Sequence, residues 1–444
     1  MPPVIYPDEP PSKAEYIARF LPSSPRLRVF LVFVFFWLAS IAWYYPHASH
    51  DPSSIFYSST HGHDKIYSLR REAEAAAFIA AANEAARGRT KERTAPQHPL
   101  LCLAVATVAR PDKQYVETAV GSMLEGLTVG ERRQIYFMFL IAHTNQSVHP
   151  LWTEPWTNYL PDLVLSYDML DQEDRGKVSR WEGEWDHYSK GRFDYSFLLQ
   201  QCYDKTSAPY IAILEGDSLA VKGWYHRAIA AAKQLDSANP YKEHASMDDP
   251  LTDPPSTWLY LRLFYTESFL GWNKEEWFSY LVHSLAIFLA LGMSLVVLRT
   301  CFPRSLARTL SNQNLQLILF VLLPVTILLY FSLGRSTIAG MRQPYPAGLQ
   351  QMNNFGCCSQ GFIFPRRLVP FVRERIKENL EVYIDMLMEH VADTYNLQRW
   401  TVVPSLLQHI GSRSSKGDIE ADERARMIWS YGFERWGING ATGL

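Results

Sequence analysis

Cysteine, excess charge and a cleavage signal are what this chain has little of, and each shortage excludes something. Lys and Arg number 43 against 45 Asp and Glu, so the net charge is −2 and no basic nucleic-acid footprint stands out. Five cysteines in 444 residues are too few for a disulfide-built scaffold. The length accommodates more than one domain, or one domain with additions. Aromatic residues, by contrast, are abundant. The 13 Trp and 24 Tyr suit a membrane interface or a sugar-binding cleft, and composition does not separate the two.

Three apolar runs stand out. They cover residues 29–45 ("VFLVFVFFWLASIAWYY"), 277–298 ("WFSYLVHSLAIFLALGMSLVVL") and 315–333 ("LQLILFVLLPVTILLYFSL"). Each is close to the span of a bilayer, and a core helix rarely lacks a polar face. Pro324 in the third is tolerated in a membrane helix as a kink. The first run lies after a proline-rich leader with no clear small-residue cleavage site behind it, so it reads as a signal anchor. Lys13, Arg19, Arg26 and Arg28 precede it, and no Lys or Arg follows until Lys65, which predicts a cytosolic N-terminus. Arg299, Arg304 and Arg308 between the second and third runs predict a cytosolic loop. The expected organisation is a cytosolic tail (1–28), a first span (29–45) and a lumenal stem (46–98). A catalytic domain in two pieces (99–276 and 334–444) is then interrupted by a hairpin of two spans (277–298 and 315–333) joined by a loop (299–314). The alanine-rich helical stretch 64–95 reads equally well as a stem or as a helix packed on the domain.

Between the spans, apolar runs alternate with helical stretches. "PLLCLAVATVARP", "RRQIYFMFLIAHTN", "PDLVLSYD" and "APYIAILEGD" read as buried strands, which predicts an α/β fold with a mostly parallel sheet. Ligands bind beyond the carboxyl ends of such strands. Thr107, His143 and the acidic triplet Glu215-Gly216-Asp217 lie at those ends. In isolation that triplet reads as a surface turn. Its chemical reading is a cation site, because residues i and i+2 of an extended chain point the same way and glycine lets the backbone come close.

"KGRFDYSFLLQQCYDKTSAPYIAILEGDSLAVKGW" resembles a stretch of GT-A glycosyltransferases in which a strand ends in a DxD-type motif. "WTVVPSLLQHIGSRSS" and "YIDMLMEHV" resemble segments of Golgi branching N-acetylglucosaminyltransferases of type IV. Joined to a membrane hairpin within the catalytic domain, the set resembles the post-GPI-attachment N-acetylgalactosamine transferase family, over roughly residues 25–435. The resemblance implies a GT-A-like fold, a Golgi membrane enzyme with a lumenal catalytic domain, UDP-GalNAc as donor and the glycosylphosphatidylinositol (GPI) glycan of anchored proteins as acceptor. It also implies Mn²⁺, with Glu215, Asp217 and His409 as the metal set. Glu215-Gly216-Asp217 departs from the usual D-x-D or E-D-D and keeps the outer carboxylates.

Further roles are expected by the same resemblance. Thr107, Val108, Ala109 and Arg110 would meet the nucleotide, with Arg110 either a phosphate partner or a surface arginine. Asp194 would hold the uracil or ribose, or cap a helix. An inverting transfer needs a carboxylate base, and the candidates are Asp385, Glu389 one helical turn on, and Glu267. Cys357-Cys358 is a candidate vicinal disulfide lining the sugar pocket, and Ser359 and Gln360 after it are candidate UDP-sugar contacts. Cys102 and Cys202 are expected as buried thiols, with a mutual bridge the alternative. Asn145 opens a glycosylation sequon. The rival readings are a UDP-GlcNAc or UDP-Gal transferase acting on N-glycans or glycolipids, and a non-catalytic membrane chaperone or cargo receptor. The lipid bilayer is an expected partner and nucleic acid is not.

Overall fold

The computed structural model describes residues 24–58, 60, 62–87, 95–111, 113–238, 257–266, 272, 274–301, 311–335, 337–338, 348–354, 356, 358–378, 382–411 and 428–435. The helices used below are, in chain order, α1 (Pro25–Ala48), α2 (Tyr67–Arg87), α3 (Val116–Leu124), α4 (Gln172–Glu184), α5 (His187–Lys205), α6 (Trp224–Ala238), α7 (Trp277–Cys301), α8 (Asn312–Ser332), α9 (Val369–Lys377), α10 (Ile384–Thr394) and α11 (Tyr431–Glu434). The chain forms two compact units. One holds residues 1–57 and 271–338, the other residues 58–270 and 339–444.

The first unit contains α1, α7 and α8, three helices long and apolar enough to cross a membrane. Large apolar side chains such as Phe35, Phe36, Phe278 and Phe320 point outward, as lipid-facing residues do. Polar contacts gather where the chain leaves α1 and α8. The Asp51 carboxylate accepts from the Thr337 N–H (2.6 Å) and hydroxyl (2.9 Å), and Arg335 pairs with Glu276 at 2.6 Å. Arg304 and Arg308, on which the loop orientation rests, lie outside the described residues.

The second unit is built on an eight-stranded sheet of order β3-β2-β1-β4-β8-β6-β9-β7. Its strands are β1 (Leu101–Thr107), β2 (Ile135–Ile141), β3 (Leu163–Leu165), β4 (Tyr210–Glu215), β6 (Trp258–Arg262), β7 (Gly348–Gln351), β8 (Gly361–Pro365) and β9 (Gln398–Val403). β3, β2, β1 and β4 run parallel, and β8 pairs antiparallel with both β4 and β6. A separate antiparallel ribbon joins β5 (Ser218–Ala220) to β10 (Leu407–His409).

The sheet is the middle of three layers, so its strands are apolar on both faces. Leu101, Leu103 and Val105 of β1 pack with Ile79 of α2, Val120 and Met123 of α3 and Trp224 of α6. Cys102 and Ala104 pack on the other side with Leu198 and Leu199 of α5, Val372 of α9 and Leu387 of α10. Burial of these side chains stabilises by about 1.5–3 kcal/mol for each large one. This is the α/β, GT-A-like arrangement that the alternation of strands and helices implies.

One open reading is decided here and one expectation changes. The alanine-rich helix α2 does not stand off the domain as a stem. Ala75, Ile79 and Ala82 are buried, and a Cβ on Gly121 of α3 would run into the Ala75 carbonyl. Its alanines let two helices approach closely. Cys102 and Cys202, expected as thiols, form a disulfide with Cα atoms 5.7 Å apart. The packing of α5 on β1 brings them together, which nothing in their 100-residue separation announces.

Candidate functional site

The carboxyl ends of β1 and β4 open into a cavity of about 620 Å³ in the second unit. Thr107, Val108, Arg110, Asp194, Glu215, Gly216, Asp217, Cys358, Ser359, Gln360, Asp385 and His409 all line it.

The acidic triplet does not act as a pair of parallel carboxylates. β4 stops at Glu215, and Gly216-Asp217 turns the chain toward β5. A side chain at Gly216 would press on the Ala106 carbonyl at 3.2 Å and the Val116 Cβ at 3.3 Å, so the turn needs glycine. The turn separates the two carboxylates. Glu215 accepts from the Ser359 hydroxyl and from Gln360 Nε2 (3.1 Å). Asp217 Oδ2 accepts from Arg110 Nη2 at 2.8 Å and lies 3.3 Å from His409 Nε2. Burial pushes the Asp217 carboxyl up, but the His409 and Arg110 charges more than offset this and hold it well below the usual carboxylate range.

His409 reaches Asp217 through the ribbon, in which it is the register partner of Ser218. Gln408 anchors that strand. Its side chain donates to the Ser430 carbonyl (2.9 Å) and accepts from the Ser430 N–H (2.8 Å), and it also donates to Glu434 of α11 (2.9 Å). The glutamine of the Q-H motif is thus a structural lash and the histidine its cargo. Residues 412–415 of the same motif lie outside the described residues.

Glu215, Asp217 and His409 were expected as one metal set. Among the described residues no group of three His, Cys, Asp or Glu side chains comes together as a metal site, because Gln360 intervenes, donating to Glu215 and lying 3.4 Å from His409. Two buried oxygens of the lining, Asp217 Oδ1 and Gln360 Oε1, have no hydrogen-bond partner among the described residues. Such oxygen donors suit a hard divalent cation. The residues therefore fit a cation held first by Asp217, with Glu215 further removed.

The β1 tip is fixed from behind. The Ala109 N–H donates to His143 Nε2 at 2.8 Å, and Thr107 Oγ1 lies 3.2 Å from His149 Nε2. Ala109 thus orients the tip without lining the cavity. Asp194 is not a helix cap. It lies two turns inside α5, where Lys190 Nζ (2.8 Å) and the Tyr167 hydroxyl donate to it. Lys190 also donates to the Ala142 carbonyl at the end of β2 (2.8 Å).

The base candidates separate. Asp385 lines the cavity, its oxygens accepting from the Cys358 N–H and the Met386 N–H, each at 2.9 Å. Glu389 does not. It is 4% exposed, 2.6 Å from Arg262 and 3.0 Å from Arg399, and it accepts from the Tyr260 hydroxyl at 2.6 Å. Its i, i+4 spacing from Asp385 places it deeper along the same helix, against the sheet. Glu267 and Cys357 lie outside the described residues, and with Cys357 the proposed vicinal pairing. Asn145 is exposed at the end of β2 and outside the cavity lining.

The model of the family described as GPI-N-acetylgalactosamine transferase PGAP4 matches residues 101–408. The chain belongs to this family. The match runs from the first residue of β1 to Gln408, beside His409, and so takes in both pieces of the domain and the membrane hairpin between them. A comparison with curated proteins gives no match. The family's description is that of a sugar transferase, and this cavity is the candidate site for that transfer. Two of its residues had no signal in the sequence. Tyr188 of α5 and Tyr383, just before α10, stack on each other in the lining, and only the fold brings them together.

Proposed function

We propose that the protein transfers N-acetylgalactosamine from UDP-GalNAc to a mannose of the GPI glycan on anchored proteins, with inversion, in the Golgi lumen and with Mn²⁺. One observation carries the reading: Arg110, Asp217, His409 and Asp385 line a single cavity at the strand ends. Transfer leaves a diphosphate that gathers negative charge as the glycosidic bond breaks, and fixed positive charge lowers that barrier. Arg110 supplies such a charge beside Asp217. The thymine-like edge of uracil and the ribose fall to the β1 tip and Asp194. When bound, the divalent cation would neutralise diphosphate charge, with Asp217 as its carboxylate ligand.

Asp385 takes the proton of the acceptor hydroxyl. Two backbone N–H groups hold its carboxylate in place, so the base is aimed before the acceptor arrives. The acceptor is tied to a lipid, and spans inside the catalytic chain keep the enzyme at the same surface. That raises the effective concentration of the glycan.

The test offers purified protein a panel of UDP-sugars and a GPI-bearing protein. GalNAc transfer is expected, lost in EDTA, restored by Mn²⁺, and lowered about 10²–10³-fold in Asp217→Ala. Full turnover in EDTA would remove the metal from the reading, and preference for UDP-GlcNAc or UDP-Gal would reassign the donor.

A further inference from the structure

The part of the cavity around Asp385 is built from different material than the strand tips. Tyr188 and Tyr383 line it with ring centroids 4.2 Å apart and planes 30° from parallel. Tyr383 is two residues from Asp385 in the chain. Tyr188 is 41% exposed, a large apolar surface left open at a cavity wall. One turn further along α5 lies Gly191, also in the lining, and among the described residues a Cβ there would meet nothing within 4 Å. Glycine is unfavourable in a helix interior, and here no neighbouring backbone or side chain requires it. The space above it is open to a ligand.

A hexopyranose ring has one face made of C–H groups, which stacks on aromatic rings while its hydroxyls find polar partners at the edge. Tyrosine offers a rigid surface for this at low entropic cost. The charged groups suited to a diphosphate come from the β1 tip, the β4 turn and β10. Tyr383 and Asp385 come from the start of α10, on the other side of residues 358–360, where the Cys358 N–H holds Asp385. A base has to touch the hydroxyl it deprotonates, so a ring surface two residues from the base meets the sugar that carries that hydroxyl.

We propose that Tyr188, Tyr383 and the open space above Gly191 form a stacking subsite for the acceptor hexose. The assignment rests on the reading of Asp385 as the base.

Two variants test it: Tyr188→Ala and Gly191→Leu. Two readouts are taken on full-length protein with UDP present, namely transfer to a GPI-bearing protein and direct binding of a free trimannoside by saturation-transfer NMR. Tyr188→Ala is expected to raise the acceptor KM and weaken trimannoside binding about tenfold, with UDP affinity changed less than twofold. Gly191→Leu should do the same by filling the space, while its unfolding temperature stays level or rises, since leucine is the better helix former. A tenfold loss of UDP affinity with acceptor KM unchanged would give the rings to the uracil and overturn the proposal. So would wild-type trimannoside binding in both Tyr188→Ala and Gly191→Leu. Wild-type protein that binds the trimannoside through Tyr188 but does not modify the GPI-bearing protein would sink the functional reading and leave the subsite standing. Wild-type protein that binds no trimannoside and shows no transfer would end both.

Discussion

Asp217 and Glu389 are both buried carboxylates paired with arginine, yet their oxygens are used differently. Both Glu389 oxygens lie within 3.0 Å of a guanidinium: Oε1 accepts a hydrogen bond from Arg262, and Oε2 is compensated by the Arg399 charge alone, as an ion pair outside hydrogen-bond geometry. Asp217 gives one oxygen to Arg110 and His409, and its other oxygen has no hydrogen-bond partner or counter-charge among the described residues. Similar burial and the same ion types thus make a closed cluster in one place and an open one in the other. An uncompensated buried polar atom is costly, so one that persists at a cavity wall points to a ligand. The clusters are also linked. Arg262 donates to the Cys358 carbonyl at 2.7 Å, and the N–H of the same residue holds Asp385. The closed cluster is the bench on which the open one's base is mounted.

The sharpest separation of the two is Asp385→Asn against Glu389→Gln. Asp385→Asn removes a proton acceptor and nearly keeps its shape, so transfer should fall about 10²–10⁴-fold with donor affinity intact. Normal transfer in that variant would take the base away from Asp385. Glu389→Gln leaves two arginines facing a neutral group. The expected cost is about 3–5 kcal/mol of stability, read as a lower unfolding midpoint, whereas its effect on the chemical step should stay well below that of Asp385→Asn. A stable but dead Glu389→Gln protein would reverse the comparison.

Smaller effects probe the open cluster and its support. Arg110→Ala should raise the donor KM about 10–100-fold, the worth of one charge-assisted contact to phosphate, and leave the acceptor KM unchanged. An unchanged donor KM would make Arg110 a structural partner of Asp217 alone. Behind the β1 tip, burial pushes the His149 imidazole down to about 4, with His143 adding to the effect. The folded chain therefore takes up fewer protons than the unfolded chain between about pH 6.5 and 4. The stability from neutral His149 is present above that window and declines as pH falls through it. Between pH 7 and pH 5 the loss should be about 2 kcal/mol, and His149→Gln should flatten the dependence. An equal slope in that variant would place the pH sensitivity elsewhere.

How much of this was readable from residues alone depended on how far each feature reaches along the chain. β1, β2 and β4 are continuous apolar runs because helices cover both faces of their sheet, and such runs are visible locally. The Glu215-Gly216-Asp217 tip was visible too, but its geometry was not, since Gly216 turns a strand that was read as extended. Spacing put Asp385 and Glu389 on one helical face with Asp385 the first candidate, and packing against Arg262 and Arg399 keeps Glu389 out of the cavity lining. The Cys102–Cys202 bridge and the Tyr188–Tyr383 stack each depend on which helix lies over which strand, and no local pattern carries that. Gln408 looked like a motif letter until Ser430 and Glu434 gave it a task.

The order of strands has a consequence for how the molecule is made. β4 and β6 belong to the stretch before the membrane helices, yet they are not neighbours, because β8, from the stretch after them, lies between the two. A nascent chain that has released β1 to β6 therefore still has a gap in its sheet. It must hold two raw strand edges apart while α7 and α8 are inserted, and only then receives the strand that closes them. Ser430 and Glu434, which steady the strand carrying His409, emerge later still. If the apolar helices α7 and α8 span the membrane, biosynthesis of this enzyme passes through a membrane-integration step before its sheet can close, and variants that delay insertion of the hairpin should accumulate as misfolded chains even when every cavity residue is intact.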